Sequence, residues 1–409
     1  MGGGGSDHLV KRILTINLGS STLKCGVLDE EEHSPRAEFR ARWSGSSATW
    51  QTRDAGGAWS ATQELSRTSR HKAPADASEA AARWAIQLDT KIHFDALVHR
   101  IVHGGRFASA QPIRDETLAE LAGWSHAAPL HQPGTLAVVD RFAHRFGDRL
   151  QIACFDTTFF HDLPERAKTF AVPAEWTERY GLRRFGFHGL SHQYVADAIA
   201  SKLPTASDGR LISCHLGSGC SVAAIANGKA VDTTMGWTPL SGLMMGTRSG
   251  SVDADMILHL IRDRGLEPAE IGDALTHRSG LLGVSRRTAD FQELSRAAEK
   301  GHRESALAMQ MFEDRVAKAI AEMATVLGGI DILAMTGGIG QNDLHFRRRL
   351  AGRLAFLGPS REREIQLGNR DTSTTSPTER VAGPMMVAIE AREDLTMRRQ
   401  AIEVIRERF

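Results

Sequence analysis

Apolar positions in this chain fall into strand-length runs broken by glycine and serine, with longer stretches of helical spacing between them. Val10 to Ile16 is an apolar run with Lys11 and Arg12 inside it. It passes into Asn17-Leu-Gly-Ser-Ser-Thr-Leu-Lys24 and resumes as Cys25-Gly-Val-Leu28, which predicts strand, turn, strand. Residues 37–65, rich in Trp, Ser and Gly with weak alternation, predict short antiparallel strands at a surface edge. Residues 76–90 carry Ala80, Ala81, Trp84, Ile86 and Leu88 at helical spacing. Ala96 to Val102 reads as a strand entering His103-Gly104-Gly105. Pro133 suits a first helical position, Leu136 to Phe146 continues with helical spacing, and Ile152 to Phe155 is a short strand.

The second half repeats the scheme. Leu211 to Leu216 predicts a strand ending in Gly217-Ser218-Gly219, and Ser221 to Ala226 returns as a strand. Ile16-Asn-Leu-Gly-Ser-Ser21 and Cys214-His-Leu-Gly-Ser-Gly219 form a weak internal repeat, placed where a duplicated domain would begin. Helices are expected at 253–264, 303–327 and 342–354. Asp331 to Met335 is a strand entering Thr336-Gly-Gly-Ile-Gly340. Val387 to Ile389 is a strand, 392–406 a terminal helix, and 360–380 an irregular polar surface loop. The expected class is α/β, in two similar lobes whose Gly-rich turns face a central cleft.

Composition narrows the function. A chain of 409 residues predicts two or three domains at roughly 150 residues each. Lys+Arg of 50 against Asp+Glu of 49 leaves a net charge of +1, so neither nucleic acid nor an anionic membrane is expected as a bulk-charge partner. The four cysteines, Cys25, Cys154, Cys214 and Cys220, form no CxxC pair. Neither a disulfide framework nor structural zinc is expected, and a reducing cytoplasm fits. Residues 1–6 read as a flexible linker or expression scar, with no signal peptide. Residues 211–228 carry no charged side chain, but His215, Gly217, Ser218 and Gly219 interrupt them, so a buried strand pair is expected rather than a membrane span.

Glycine turns after strands let a backbone approach phosphate, and successive N–H groups form an anion nest. Three such turns occur, at 17–22, 215–219 and 336–340. Each alone is an ordinary hairpin; together they favour a nucleotide or polyphosphate. None fits the P-loop, and 336–340 lacks the third glycine of the dinucleotide fingerprint. Cations stand beside small-residue turns: Lys24, Arg100 before His103-Gly-Gly105, and Arg248 within Met244-Met-Gly-Thr-Arg-Ser-Gly250. A guanidinium among glycines suits bidentate binding of carboxylate or phosphate. Asp156, directly after a strand, suits Mg²⁺ or a helix N-cap. His188, between Phe187 and Gly189 and near Arg183 and Arg184, suits donation to a phosphoryl group or a core role. The i,i+4 pairs His99/His103 and His188/His192 lack a third ligand, so metal sites are not expected there.

In order along the chain, these segments resemble the acetate kinase family of the acetate and sugar kinase/actin-like ATPase superfamily, from about Ile13 to Arg399. The resemblance is carried by Asn17–Lys24, His99-Arg-Ile-Val-His-Gly-Gly105, Ala128-Pro-Leu-His-Gln-Pro133, Phe155-Asp-Thr-Thr-Phe159, Tyr180–His192, His215-Leu-Gly-Ser-Gly219, Met235–Gly250 and Thr336-Gly-Gly-Ile-Gly-Gln-Asn342. It implies reversible, Mg²⁺- or Mn²⁺-dependent phosphoryl transfer between ATP and a short-chain carboxylate, acetate, giving acetyl phosphate and ADP. It also implies a cytoplasmic homodimer, and two duplicated actin-like, ribonuclease-H-like lobes. One lobe would comprise 7–155 plus 388–409, and the other, nucleotide-binding, 156–387.

By the same resemblance Asn17, Ser20, Thr22 and Lys24 form the first phosphate-facing turn, and Arg100 and Arg248 clamp carboxylate and phosphoryl. His188 stabilises the transition state, with His131 and His215 supporting it. Asn17, Asp156 and Glu393 organise the metal. Val102, Leu130, Phe187 and Pro239 surround the acyl methyl. Gly217, Ser218, Gly219, Asp290, Phe291, Gln292, Gly337, Gly338, Ile339, Gly340 and Asn342 line the nucleotide side. Four positions depart from the family pattern, which usually has Asn at 218, Arg at 292, Glu at 341 and Glu at 394 where this chain has Ser218, Gln292, Gln341 and Asp394, and Glu390, Ala391 and Arg392 match it poorly. The alternatives are a propionate or butyrate kinase, a pyrophosphate-dependent acetate kinase, and a non-catalytic nucleotide-gated binding module. The last predicts loss of Arg100, Asp156, His188 and Arg248, and all four are present.

Overall fold

The computed structural model describes residues 12–44, 47–65, 72–147, 149–203, 209–358, 361–365 and 384–407. The N-terminal Gly/Ser segment, Val10, Lys11 and residues 366–380 of the expected polar loop lie outside them. Two compact units result: residues up to 158 together with those from 392 onward, and residues 159–391.

The first unit is built on an eight-stranded sheet. Its strands are β1 (Arg12–Leu18), β2 (Thr22–Asp29), β3 (Ala37–Ser44), β4 (Ser47–Asp54), β5 (Gln63–Leu65), β6 (Ala96–Ile101), β7 (Gln111–Pro112) and β8 (Leu150–Phe155). The order is β5-β4-β3-β2-β1-β6-β8-β7. An antiparallel meander runs from β5 to β1, and β6 and β8 then add parallel to β1. Ile13, Leu14, Ile16 and Leu18 of β1 are all buried, as a central strand covered on both faces requires. The helix Ala73–Asp89 covers this sheet with Ala73, Ala77, Ala80, Ala81, Ala85 and Leu88, small residues that let a helix approach closely. Helix Gln132–Phe146 starts with Pro133 in its first turn and adds Val138 and Phe142 to the same core.

The second unit carries a six-stranded sheet of β9 (Arg210–Leu216), β10 (Cys220–Ala226), β11 (Lys229–Thr233), β12 (Ile332–Thr336), β13 (Arg361–Ile365) and β14 (Met385–Ile389). The order is β11-β10-β9-β12-β14-β13. Here too an antiparallel hairpin pair precedes strands that add parallel to the first strand. The series β11-β10-β9-β12-β14 thus reproduces β3-β2-β1-β6-β8, and the Leu-Gly-Ser repeat occupies the first hairpin turn of each unit. The weak sequence repeat reflects a repeated topology, the duplicated ribonuclease-H-like arrangement of the expected α/β class. The helix Arg303–Leu327 buries Ala308, Phe312, Val316, Ala319, Ile320 and Met323, one helical face, and ends at Gly328 in the left-handed conformation (φ 69°).

Two expectations need correction. Residues 361–365 form β13, parallel to β14, rather than irregular loop. The segment is charged at four of its five positions and so shows no apolar alternation, and charged residues suit a sheet edge. Residues 337–342 form a short helix directly after β12 rather than an open turn. The chain passes between the two units at 158/159 and 391/392, so Asp156 lies in the first unit and all of β14 in the second. Ladder pairing explains the latter: β14 stays paired with β12 up to Ala388 and with β13 up to Ile389.

Two histidines make the first unit acid-sensitive. Burial pushes His99 down to about 4, against a hydrogen bond from Nε2 to Gln151 Oε1 (2.8 Å). Burial, with His126 nearby, pushes His103 down to about 3, and His103 Nδ1 accepts from Gly105 N–H (2.9 Å). Both rings are neutral in the fold at pH values where they charge in the unfolded chain, which starts from 6.5. The unfolded state therefore binds more protons between about pH 6.5 and about 4, and stability falls as pH falls through that window, by on the order of 3 kcal/mol for His99. Urea midpoints across pH 7 to 4.5 check this, and His99→Gln is expected to flatten the slope.

Candidate active site

In the first unit four side chains converge from far apart in sequence. Asn17 stands near the end of β1 and Arg100 near the end of β6, and the parallel register, Ile16 opposite His99, puts them on neighbouring strands. Asp156 follows β8, its N–H donating to Ile101 C=O (3.1 Å), and Glu393 opens the terminal helix Glu393–Arg406. Arg100 donates from Nε to Asp156 Oδ1 (2.9 Å) and from Nη2 to Oδ2 (2.6 Å), a two-point fork. Its Nη1 donates to Asn17 Oδ1 (3.0 Å) and lies 3.6 Å from Glu393 Oε2. Asn17 Nδ2 donates to that same carboxylate oxygen (2.6 Å).

The group is nearly dry: Arg100 is 11% exposed, Asp156 1% and Glu393 13%. Burial opposes the guanidinium charge, but Asp156 and Glu393 outweigh it and hold Arg100 well above its ordinary value. One charge on Arg100 against two carboxylates leaves the cluster one negative charge in excess. The oxygens of Asp156, Glu393 and Asn17 are hard donors of the kind Mg²⁺ takes, and Mg²⁺ typically uses one or two carboxylates, waters and phosphate oxygens. Among the described residues no three His, Cys, Asp or Glu form a metal cage by themselves. The donor set therefore fits an ion completed by substrate oxygens and water.

Of the other first-unit residues singled out in the sequence, Lys24 is exposed on β2 directly opposite Asn17. Thr22 begins β2 and Ser20 is exposed in the β1–β2 turn. Val102 is buried just past β6. Leu130 is 37% exposed, and His131, half-buried, precedes helix Gln132–Phe146.

In the second unit His188 holds a left-handed backbone (φ 58°) and enters helix Gly189–Lys202. A non-glycine residue there stores strain of about 1 kcal/mol or more, which is most often found at functional sites. The His188 ring stacks on His215 of β9, centroids 4.3 Å apart. His188 Nδ1 bonds Ser221 Oγ (2.8 Å) and His215 Nδ1 bonds Ser191 Oγ (2.8 Å). Gly219 explains its own identity: a Cβ there would lie 3.1 Å from His188 Nε2 and 3.7 Å from Arg248 Nη1. Both side chains therefore face the same bare stretch of backbone.

Arg248 is 6% exposed and donates from Nη1 to Pro239 C=O (3.0 Å). Its loop is pinned by Met245 N–H to Arg248 C=O (3.0 Å) and Gly246 N–H to Ser218 C=O (3.2 Å). Gly280 (φ 63°) packs against it so closely that a Cβ would sit 2.2 Å from Met245 O and 2.7 Å from Arg248 O. Gly280→Ala is expected to cost about 2–4 kcal/mol from backbone strain and overpacking, read as a lower urea midpoint, with Arg248 displaced. Phe187 and Pro239 are buried nearby in sequence to His188 and Arg248.

Turns 217–219 and 336–340 lie side by side. His215 and Thr336 pair at the ends of parallel β9 and β12, and a Cβ on Gly217 would be 3.9 Å from Gly338 N. Gly337 (φ 77°) would collide with Leu216 O at 2.6 Å if it carried a Cβ. Asn342 donates to Gly338 C=O (3.0 Å), closing the short helix that holds Gly338, Ile339 and Gly340. Asp290 accepts from Glu293 N–H (2.8 Å) as the N-cap of helix Phe291–Glu299. The Phe291 ring is committed to a buried cluster with Phe312 and Phe346, whereas Gln292 and Ser218 are exposed. Sequence reasoning missed Ser191, His192, Ser213 and Ser221. The available signal was a serine among the mainly apolar residues of β9 and of β10, and the His188/His192 spacing, which a hydroxyl bridges rather than a metal.

The profile of the Acetokinase family matches residues 12–399. An acetate kinase of Deinococcus radiodurans is 37% identical over 399 residues, covering 96% of this chain and 98% of its own. Acetate kinase 1 of Neisseria meningitidis is 38% identical over 391 residues, covering 94% and 96%. Among solved structures, a propionate kinase of Francisella tularensis superposes with a TM-score of 0.82 at 31% identity, covering 95% of this chain and 98% of that one. The acetate kinase of Porphyromonas gingivalis follows at 0.78 and 29%, covering 97% and 100%. With a family match over nearly its whole length, joined to this strand order and these clusters, the chain belongs to the acetokinase family.

Proposed function

We propose that the protein transfers the γ-phosphoryl of ATP to acetate, reversibly, giving acetyl phosphate and ADP. The observation that carries the reading is the buried fork of Arg100 on Asp156, flanked by Asn17 and Glu393. A carboxylate acceptor is ionised at neutral pH, so the reaction needs no general base. It needs positioning and charge neutralisation, and a rigid guanidinium with one Nη2 donor left outside the fork suits that task. In this reading Arg100 and Arg248 hold carboxylate and phosphoryl oxygens, and His188 donates to the phosphoryl, with His131 and His215 in support. Val102, Leu130, Phe187 and Pro239 enclose the methyl.

We assign the nucleotide to the second unit, along Gly217–Gly219, Gly337–Asn342 and Asp290–Gln292, with Ser20, Thr22 and Lys24 of the first unit serving phosphate. Asn17, Asp156 and Glu393 would hold Mg²⁺, which when bound neutralises the nucleotide phosphates. A homodimer is supported by the helix Ala254–Arg262, none of whose residues is buried, with Met256 and Leu258 at 43% and 45% exposure. Four free buried cysteines, with Cys220 pushed up to about 12 by burial, agree with a cytoplasmic protein. Among the described residues no helix is long and apolar enough to cross a membrane.

Hydroxamate trapping of the acyl phosphate tests the reading, crossing acetate, propionate and butyrate with ATP and pyrophosphate. Product with acetate and ATP is expected, leaving Ser218 and Gln292 as tolerated differences. Preference for propionate moves the acceptor by one methylene, a difference of about 1–3 kcal/mol. Product only with pyrophosphate overturns the donor, and none with any pair overturns the enzyme.

A further inference from the structure

The hydroxyl and imidazole groups behind His188 form a chain of hydrogen bonds. Ser213 Oγ bonds His192 Nδ1, His192 Nε2 bonds Ser221 Oγ, and Ser221 Oγ bonds His188 Nδ1, each at 2.8 Å. Ser213, Ser221 and His192 are all fully buried. A hydroxyl has one proton, and among the described residues Ser221 Oγ makes no hydrogen bond but these two, so Ser221 donates to one imidazole and accepts from the other. With both rings neutral the whole chain therefore has only two polarities.

In one, Ser213 donates to His192 Nδ1, His192 Nε2–H donates to Ser221, and Ser221 donates to His188 Nδ1. Every proton in the chain is used, and the neutral His188 ring carries its hydrogen on Nε2. In the other, His192 Nδ1–H donates to Ser213, and the Ser213 proton must find a different acceptor. Among the described residues Ser213 Oγ makes no other hydrogen bond. A buried donor without an acceptor is the costlier arrangement.

We propose that Ser213 sets the direction of this relay, so that His188 presents Nε2–H, a donor, toward the bare backbone of Gly219. Ser213, His192 and Ser221 are positioning residues; only His188 reaches the reacting groups. Arg248 Nη1 faces the same bare position of Gly219, and His215 stacks on the His188 ring, so the donor edge works beside a guanidinium against the anionic phosphoryl. The catalytic part of this inference rests on the function proposed above. The tautomer part does not.

The test is long-range ¹H–¹⁵N spectroscopy of the full chain labelled with ¹⁵N-histidine, with His188 assigned by its loss in His188→Asn. The expected wild-type pattern has a protonated Nε2 and a bare Nδ1. Ser213→Ala, which touches neither His188 nor substrate, is expected to give a tautomer mixture at His188. It should lower kcat about three- to tenfold with both KM values unchanged, the size of a weakened donor rather than a lost one. Hydrogen on Nδ1 in the wild type overturns the proposal, and so does an unchanged His188 pattern in Ser213→Ala. The wild-type spectrum decides alone if that variant does not fold. A correct tautomer in a protein that phosphorylates no acid leaves the relay standing and overturns the function instead.

Discussion

Replacing Arg100 with methionine is expected to lower kcat by about 10²–10³-fold or more, the scale of losing one preorganised transition-state donor. The variant also takes from Asp156, 1% exposed, the two-point fork that Arg100 makes on it, and breaking such a buried pair costs about 3–5 kcal/mol. A melting curve must therefore accompany the kinetics. Arg100→Lys separates the two effects. It keeps the positive charge beside Asp156 and Glu393, so much of the stability should return, but an ammonium cannot reproduce the fork at 2.9 and 2.6 Å. A folded, inactive lysine variant assigns catalysis to the guanidinium geometry. Wild-type kcat in both variants would remove Arg100 from the mechanism.

His188→Asn is expected to lower kcat by about 10²–10³-fold while leaving the melting temperature nearly unchanged. Asparagine tolerates the left-handed backbone at φ 58° better than most residues, so the helix entry survives. Its carboxamide is too short to put a donor where His188 Nε2 stands beside Gly219. A donor acting mainly on the developing charge of the transferring group leaves KM for acetate and ATP close to wild type. A variant that loses affinity but keeps turnover would make His188 a ground-state binding residue. A variant that unfolds would make the stack on His215 and the bond to Ser221 structural in purpose.

Family membership and the duplicated α/β class were legible in the chain itself, because turn glycines and strand periodicity are local signals. The Leu-Gly-Ser motif at 18–20 and again at 216–218 marks the same hairpin turn in both sheets. Gly337 is likewise readable, since a residue at φ 77° beside Leu216 O must be glycine.

Three-dimensional pairing decided the rest. Asn17 and Glu393 are 376 positions apart, and only the β1–β6 register and the docking of the last helix bring both to Arg100. That convergence turned Arg100 from a single clamp into the centre of a charge cluster with Asp156. Phe291, matched to the nucleotide side by resemblance, has its ring in the core because its helix packs that face on Phe312 and Phe346. Ser213, a serine among the mainly apolar residues of β9, signalled a buried hydroxyl in sequence but not its role. Its meaning comes from the direction of a hydrogen bond, and that direction depends on which partners a folded chain leaves within 2.8 Å.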